Sequence, residues 1–362
     1  MKTMDYHIRP YRQGDEFGIA KLFQVVFQKE FPMARWYWQY RDNPVGIKTI
    51  MIAENNMGDI IGHYAVCPVR MKVQEEIRLG SISLDTMVHP EYQGLGLFTA
   101  LASELYKTLA SHGILLTYGF PNKNSFHGFV KKLLWTDFTD HLCIYARILR
   151  MDGILEKNIT SPLLVSWGRR VSEPMLNIYN AMVIRKVHGG VTCSHGDDID
   201  DGIDALWERW AKSIRIAVVR DKQYLTWRYV HNPCEQYHII NVRNDTELIG
   251  CAVLKCEERY GLKIGFIAEM ITDPLRPEAV DVLLTETVQY FKAEKMDIAN
   301  CLALEAMPLI RSLRRNGFMA VPQRFYPQEF HFCFLKHAGA IPTDFVYTAH
   351  NWSVSWGDYD VI

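Results

Sequence analysis

Two glycines, Gly94 and Gly96, lie directly after an apolar run and directly before a long amphipathic segment, in the stretch HPEYQGLGLFTAL at 89–101. Glycine lets the backbone come close to a ligand, and the free N–H groups at the start of a helix attract anions. The pattern therefore predicts a phosphate-binding loop between a strand and a helix. On the glycines alone, the alternative is an ordinary tight turn.

The elements that must position this loop follow from the periodicity of the sequence. Apolar runs and alternation predict strands at 6–10, 47–54, 60–71, 80–88, 114–119 and 141–149. Helices are predicted at 14–29, 96–112 and 125–134, and the second of these has leucines at 97, 101, 105 and 109 on one face. This mixed order predicts an α/β (α+β) domain, in which a mixed and mainly antiparallel sheet is flanked by helices.

The segment 88–98 resembles the acyl-CoA loop of the GCN5-related N-acetyltransferases, the GNAT superfamily. The family pattern Q/R-x-x-G-x-G/A reads here from Gln93 to Phe98, and Val88, Pro90 and Tyr92 match its usual lead-in. The resemblance covers residues 1–150. It implies a GNAT-type N-acetyltransferase that moves an acyl group directly from acetyl-CoA, or another acyl-CoA, to a small-molecule or peptide amine. Neither a covalent enzyme intermediate nor a metal is implied.

The resemblance also assigns residues to the co-substrate. The loop amides would hold the pyrophosphate, and the end of the preceding strand would run along the pantetheine and polarise the thioester carbonyl. A polar segment after the strand at 114–119 would bind the co-substrate or stabilise the thiolate. The residues assigned in this way are Met87, Val88, Gln93, Gly94, Leu95, Gly96, Leu97, Phe98, Asn122, Asn124 and Ser125. Phe98 departs from the family pattern, because a small residue is usual there; its ring would crowd the helix start or fill space beside the co-substrate.

A base must remove a proton from the attacking amine. Asp85, in the predicted central strand, is the candidate, since many family members carry an acidic residue near this position. The alternative is a structural carboxylate that binds a neighbouring loop. His63, His89 and His127 are rivals, and each is expected to be structural.

The leaving thiolate needs a proton, which family members often supply from a tyrosine on the helix after the fifth strand. In this sequence Phe129 or Val130 falls at that place, and neither side chain can donate a proton. Tyr118 is the substitute acid on position alone, and a core tyrosine is the alternative interpretation. Solvent could also supply the proton.

An internal repeat organises the rest of the chain. Residues 38–44 and 227–233 both read W-x-Y-x-x-N-P, and three flanking segments keep the same order and similar spacing. The motif could be a binding platform, but its occurrence in both copies favours a structural role in a helix end and turn. In the second copy Glu269 matches Asp85, whereas the stretch Asp273–Ala279 has no glycine and contains two prolines, which lack an N–H donor. The second copy is therefore predicted to bind no CoA and to serve as a scaffold.

These patterns predict four segments. They are a GNAT domain with the acyl-CoA loop at 1–150, a connecting helical segment at 151–186, a degenerate GNAT-like domain at 187–337 and an aromatic-rich tail at 338–362. The connecting segment is too apolar for a flexible linker, so it is expected to pack on a domain. The tail is expected to dock on a domain surface, because disordered tails are poor in aromatic residues.

Composition excludes several classes of function. A net charge of −1 argues against a general binder of nucleic acids, and the eight cysteines form neither a C-x-x-C pair nor a zinc-binding set. The N-terminal stretch is charged where a signal peptide is apolar, and no stretch approaches the roughly 20 apolar residues of a membrane helix. A cytoplasmic enzyme is the expectation. A non-catalytic acyl-CoA sensor or interaction scaffold is the alternative, and an acyltransferase with a non-CoA donor, such as an aminoacyl or cell-envelope enzyme, is ranked lowest.

Overall fold

A computed structural model describes residues 5–159, 161–183, 190–326, 328–337 and 342–359. The outer parts of the expected tail and the junction expected at 186–187 lie outside these residues. The described chain divides into two compact units. The first contains residues 1–139, 231–235 and 330–347, and the second contains 140–230, 236–329 and 348–362. No described helix has the length and apolar character needed to cross a membrane.

The first unit is built on a mixed sheet. Its strands are β1 (Tyr6–Pro10), β2 (Thr49–Asn55), β3 (Ile60–Val73), β4 (Glu76–Val88), β5 (Ile114–Gly119) and β6 (Thr136–Asp137), joined by β15 (Cys333–Lys336). Its helices are α1 (Asp15–Phe27), α2 (Met33–Trp36), α3 (Leu97–Ser111), α4 (Lys123–His127) and α11 (Thr343–Val346). The strand order is β1-β2-β3-β4-β5-β15-β6, in which β4 and β5 are parallel and the other pairs are antiparallel.

The second unit has the same succession of strand pairings. Its strands are β7 (Leu142–Ile148), β8 (Val191–Gly196), β9 (Ile216–Val218), β10 (His238–Asn244), β11 (Glu247–Arg259), β12 (Leu262–Thr272), β13 (Ile298–Leu304) and β14 (Met319–Ala320). Its helices are α5 (Asp152–Asn158), α6 (Pro162–Val183), α7 (Ile203–Ala211), α8 (Lys222–Leu225), α9 (Glu278–Ala293) and α10 (Leu309–Arg315). The sheet order is β8-β10-β11-β12-β13-β7-β14, and only β12 and β13 are parallel. This correspondence supports the internal repeat.

The predicted boundary at residue 150 needs correction. The strand expected to close the first domain, 141–149, is β7 and pairs with β13 of the second sheet from Ile148↔Ile298 to Leu142↔Leu304. The place beside β5 is taken by β15, which pairs Cys333 with Gly119 and Phe334 with Tyr118. Each sheet therefore receives its next strand from a distant part of the chain, which local periodicity does not reveal.

Helix α3 packs on the first sheet as its leucine spacing predicts. Leu97, Leu101, Leu105 and Leu109 are all fully or almost fully buried. Gly62 on β3 makes close packing possible, since a Cβ at this position would lie 2.9 Å from the Leu101 Cδ1. Gly250 has the same relation to Leu283 of α9 in the second unit, also at 2.9 Å.

The connecting segment forms one long helix, α6, which continues through Pro174. It is anchored within the second unit, where the Tyr179 hydroxyl donates to the Gly317 carbonyl at 3.1 Å and the Asn180 amide oxygen accepts from Arg147 at 2.7 Å. Some apolar side chains of α6 remain exposed to solvent; Trp167, for example, is 68% exposed. The expected packing therefore holds for one face of the helix.

Candidate active site

The glycine loop of the first unit presents a row of unpaired backbone donors. After a short 3-10 turn at Pro90–Tyr92, Gly94 and Gly96 have φ values of 77° and 80°, and α3 begins at Leu97. Among the described residues, none of the N–H groups from Gly94 to Thr99 has an intramolecular hydrogen-bond acceptor. A helix start with free N–H groups and the positive end of its dipole is an anion site, so the loop fits a pyrophosphate.

Gly94 and Gly96 are needed for their backbone angles and not for the space that a missing side chain leaves. A Cβ on Gly94 would meet nothing within 4 Å, but the left-handed φ is one that residues with a side chain rarely adopt. The Gln93 side chain ties the loop to the end of β4, because its amide donates to the Val88 carbonyl at 3.2 Å. Leu95 is half-exposed, whereas the Leu97 side chain is buried in the core, so the contribution of Leu97 to a ligand is limited to its backbone.

Strand β4 leads into this loop with one open edge. Its pairing with β5 ends at Ile82↔Tyr118, whereas its pairing with β3 continues to Val88↔Gly62. In the described chain, residues 83–88 therefore have a partner strand on one side only. The backbone of Met87 and Val88 lies on this segment, while the Met87 side chain is buried against the α1 side of the sheet. An extended ligand arm could lie along this edge.

Asp85 lies on the same segment, at a β-bulge. Its φ of 45° is uncommon for a residue with a side chain, and the register with β3 shifts at this point. His63 on β3 fixes the bulge, because its ring Nδ1 lies 2.7 Å from the Asp85 carbonyl oxygen. Burial lowers the pKa of His63, so the ring is neutral and donates from Nδ1. His63 is thus structural, as expected.

Two side chains of the W-x-Y-x-x-N-P motif hold the Asp85 carboxylate. Tyr40 donates to Oδ2 at 3.0 Å and Gln39 donates to the same oxygen at 3.2 Å. Burial, together with the neighbouring carboxylate, raises the pKa of Tyr40 well above its usual value, so the phenol stays protonated. Asp85 itself is half-buried and forms no ion pair with a described residue.

The motif also has the structural role that the sequence favoured. Its first copy forms a π-helical turn at Tyr37–Arg41, and its second copy forms one at Thr226–Val230. Each asparagine then closes the following turn, with Asn43 accepting from the Val45 amide at 2.8 Å and Asn232 accepting from the Cys234 amide at 3.0 Å. Sequence reasoning missed the contact between the motif tyrosine and the acid, although both recur in the two copies.

The corresponding acid of the second unit is neutralised. Tyr229 donates to Glu269 at 2.9 Å, as Tyr40 does to Asp85, but Arg220 also pairs with Glu269 at 3.1 Å and with Asp358 at 2.7 Å. All three charged side chains are at least 97% buried. Burial raises the pKa of Glu269, but both carboxylate oxygens already accept hydrogen bonds, one from Arg220 and Tyr229 and the other from Ser355, so neither is open to a substrate amine.

In the second unit, the two features that are open in the first unit, the loop amides and the split between the parallel strands, are in contact with other residues. In its loop, the Leu275 amide bonds the Asp273 carboxylate and the Arg276 amide bonds the Asp273 carbonyl, while both prolines lack a donor. β12 separates from β13 after Ile267↔Cys301. The C-terminal segment lies beside this split, since Ser355 donates to Glu269 on β12 at 3.0 Å and the Trp356 indole donates to Asn300 on β13 at 2.6 Å. Residues 348–359 of the tail therefore dock on the second unit, whereas 342–347 belong to the first unit.

Phe98 has a packing role. Its ring lies against Gly128, where a Cβ would be 3.1 Å from Phe98 Cε1, and it makes an edge contact with Phe129 at 5.4 Å between ring centroids. It is also stacked on Tyr64 at 6.2 Å. The ring at this position is thus accommodated by a glycine on the facing segment and leaves the loop amides free.

The remaining predicted residues lie at the end of β5. Asn122 caps α4, since its side-chain oxygen accepts from the amides of Asn124 and Ser125 at 3.0 and 3.1 Å. Asn122 and Asn124 are exposed, and in the described chain the side-chain hydrogen bonds of these residues stay within the segment 122–125. Tyr118 is 3% exposed and its ring packs against Phe120 and Phe332, which favours its role as a core tyrosine. Phe129 is buried in the same way, at 4% exposure.

Residues 7–130 match the family model of the acetyltransferase (GNAT) domain. The first unit carries a GNAT domain. The matched range runs from β1 to the residue after Phe129 and includes the glycine loop, the open edge of β4 and Asp85. The chain therefore contains an acetyltransferase (GNAT) domain at 7–130, and the loop expected to bind acyl-CoA lies within it.

Solved structures share the fold over nearly the whole chain. A GCN5-related N-acetyltransferase from Anabaena variabilis has a TM-score of 0.62 at 11% identity, covering 91% of this chain and 72% of that one. A probable N-acyltransferase from Enterococcus faecalis has a TM-score of 0.62 at 10% identity, covering 92% and 72%. Saccharomyces cerevisiae N-myristoyltransferase with bound myristoyl-CoA has a TM-score of 0.55 at 12% identity, covering 92% and 82%. The comparison with curated protein sequences finds no match.

Proposed function

We propose that this chain is an N-acyltransferase that moves an acyl group, acetyl in the simplest case, directly from a CoA thioester to the amine of a small molecule or peptide. The observation that carries the proposal is the row of unpaired amides from Gly94 to Thr99, directly beside the open edge of β4. An anion cradle that continues into an unpaired strand edge fits a ligand with a pyrophosphate and an extended arm.

Asp85 is the proposed base for this reaction. Its carboxylate lies on the open segment of β4, three residues before Val88, and neutral donors from Tyr40 and Gln39 hold it in place. A carboxylate without a cationic partner retains its ability to accept a proton from the attacking amine. The contrast with Glu269, which is bound to Arg220, supports the assignment of the active centre to the first unit.

The second unit is proposed to be a scaffold that binds no CoA. The Leu275 and Arg276 amides of its loop are bonded, both prolines lack a donor, and Ser355 and Trp356 bond Glu269 of β12 and Asn300 of β13.

A non-catalytic acyl-CoA sensor is the second candidate, because Phe129 or Val130 stands where the family usually has its proton-donating tyrosine. The two candidates differ in turnover. A sensor binds acyl-CoA without releasing free thiol in the presence of amines, whereas the enzyme releases thiol with at least one member of an amine panel.

The test is steady-state thiol release by the parent protein, Asp85→Asn and Asp42→Asn. Asp42 is an exposed carboxylate that pairs with Arg41, so Asp42→Asn is the matched control. We expect Asp85→Asn to lower kcat by about 100-fold or more, with unchanged acyl-CoA affinity, because general base catalysis contributes about 10²–10⁴-fold. Equal activity of the two variants would remove Asp85 as the base, and binding without turnover by the parent would favour the sensor.

A further inference from the structure

The departing thiolate needs a proton, and neither Phe129 nor Val130 can supply it. The closed end of the split between β4 and β5 contains a different hydroxyl. Ser83 is the first residue of β4 beyond the last pair, Ile82↔Tyr118, and it is half-buried. Its Cβ lies where β4 and β5 begin to separate, since a Cβ on Gly119 would be 3.2 Å from it. A ligand arm that entered from the glycine loop along the open edge of β4 would reach the last β4–β5 pair at this point.

Ser83 is the outer member of a chain of hydroxyl groups. Its Oγ lies 3.4 Å from the Tyr64 hydroxyl, which lies 3.0 Å from the Tyr106 hydroxyl. Tyr106 accepts a hydrogen bond from the Trp135 indole at 2.9 Å. Tyr64 is fully buried, and its ring lies edge-on to Phe129 at 6.2 Å. The chain of hydroxyl groups thus passes beside Phe129, one of the two residues that could stand at the usual tyrosine position.

In its contact with Tyr64 the Ser83 hydroxyl is the donor. At 3.4 Å this hydrogen bond is longer than an ordinary O–H···O bond, and its acceptor is neutral. A thiolate in the split is a charged acceptor and therefore the stronger one for the Ser83 proton. Burial raises the pKa of Tyr64 well above its usual value and that of Tyr106 to about 12, so both hydroxyls remain protonated at neutral pH.

We propose that Ser83 is the proton donor to the leaving thiolate, with Tyr64 and Tyr106 as the groups that resupply it. This rests on the proposed acyltransferase function. The amine nitrogen forms a bond to the acyl carbon, and the C–S bond breaks with its electron pair on sulfur. Sulfur takes the Ser83 proton, Ser83 takes one from Tyr64, Tyr64 takes one from Tyr106, and half-buried Tyr106 takes one from water. The proton lost by the amine passes through Asp85 to water, so the net reaction gives an amide and a free thiol.

The strand supplies its own matched control. Ser81 lies two residues earlier on β4, is fully buried, and bonds the Thr117 hydroxyl at 2.7 Å within the paired part of the sheet. We expect Ser83→Ala to lower kcat by about 30-fold to 100-fold at unchanged KM for acyl-CoA, because it removes general acid catalysis. Ser81→Ala should stay within about twofold of the parent, because its hydroxyl is sealed below the split.

The leaving group separates a chemical role from a structural one. With a thioester of a strongly acidic aryl thiol, the thiolate departs without a proton, and the Ser83→Ala defect should disappear. Tyr64→Phe should show the same dependence on the leaving group with a smaller loss, about 10-fold, because it removes the resupply and leaves the donor in place. A Ser83→Ala defect that persists with the aryl thioester would overturn the proposal, as would equal kcat values for Ser83→Ala and Ser81→Ala. If Tyr118→Phe, and not Ser83→Ala, showed a kcat defect that disappears with the aryl thioester, Tyr118 would be the donor and the proposal for Ser83 would be overturned.

A measurement without turnover gives the second test. The thiol of bound CoA is titrated by the ultraviolet absorbance of its thiolate. A hydrogen bond from Ser83 stabilises the thiolate, so in Ser83→Ala the pKa of the bound thiol should rise by about 1 or more, and in Ser81→Ala it should not change. An unchanged pKa in Ser83→Ala contradicts the assignment. Failure of the parent to bind CoA would instead refute the proposed function itself, and this proposal with it.

Discussion

The contact between Phe98 and Gly128 predicts a strong coupling between two residues on facing segments. The Phe98 ring is half-buried, so Phe98→Ala should lower the free energy of unfolding by about 2 kcal/mol, below the 3–5 kcal/mol of a fully buried phenylalanine. Gly128 has helical backbone angles, so alanine there gains about 0.8–1 kcal/mol in helix propensity. In the parent, however, the new Cβ would lie 3.1 Å from the ring, and such overpacking costs about 1–3 kcal/mol.

Gly128→Ala should therefore be neutral or destabilising in the parent and stabilising by about 1 kcal/mol in the Phe98→Ala background. The assay is urea unfolding of the four proteins of this double-mutant cycle, followed by circular dichroism. We expect a coupling free energy of about 1–3 kcal/mol. Effects of the two substitutions that add to within about 0.5 kcal/mol would refute the packing explanation of Phe98.

Three further predictions follow from buried polar groups. Burial lowers the pKa of His337 to about 4, below the roughly 6.5 of the unfolded chain, so between these values the unfolded state binds more protons and stability falls as the pH is lowered. In urea unfolding between pH 7 and pH 4, the free energy of unfolding should therefore fall less steeply in His337→Gln than in the parent. Identical pH profiles of the two proteins would contradict this. Arg220→Met should cost about 3 kcal/mol or more and lower the melting temperature, because Glu269 and Asp358 then lose their cation; a loss below about 1 kcal/mol would mean that the pair is not needed. Tyr40→Phe should lower kcat about 10-fold with unchanged acyl-CoA affinity in calorimetry, since it removes a donor to the proposed base, and a change in affinity alone would argue against that role.

Local patterns made much of the first unit predictable. The glycine loop, the helix that follows it and its buried leucine face depend on residues that are close in sequence, and the structure confirms each of these elements. The mixed sheet flanked by helices is confirmed as well. The predicted sheet was wrong for two strands, 142–148 and 333–336, because each pairs with a strand more than a hundred residues away in sequence.

The supporting contacts of the site were beyond sequence reasoning for the same reason. Tyr40 reaches Asp85 across 45 positions, and nothing in the spacing of the motif reveals that hydrogen bond. The hydroxyl chain from Ser83 is likewise formed by β3, β4 and α3 together. A signal did exist for the first contact, because Tyr229 and Glu269 repeat the same pair of residue types in the second copy.

Calorimetric titration of acetyl-CoA and CoA tests the central claim most directly. The proteins are the parent, the double variant Gly94→Glu, Gly96→Glu, and its neutral counterpart Gly94→Gln, Gly96→Gln, which imposes the same backbone strain. A carboxylate about 5 Å from a phosphate costs about 1–3 kcal/mol at effective dielectric constants between 80 and 20, so the Glu pair should bind at least about 10-fold more weakly than the Gln pair, with a gap that narrows as salt is added. Equal affinities of the two double variants would place the binding site elsewhere, and the absence of binding by the parent would contradict the account as a whole.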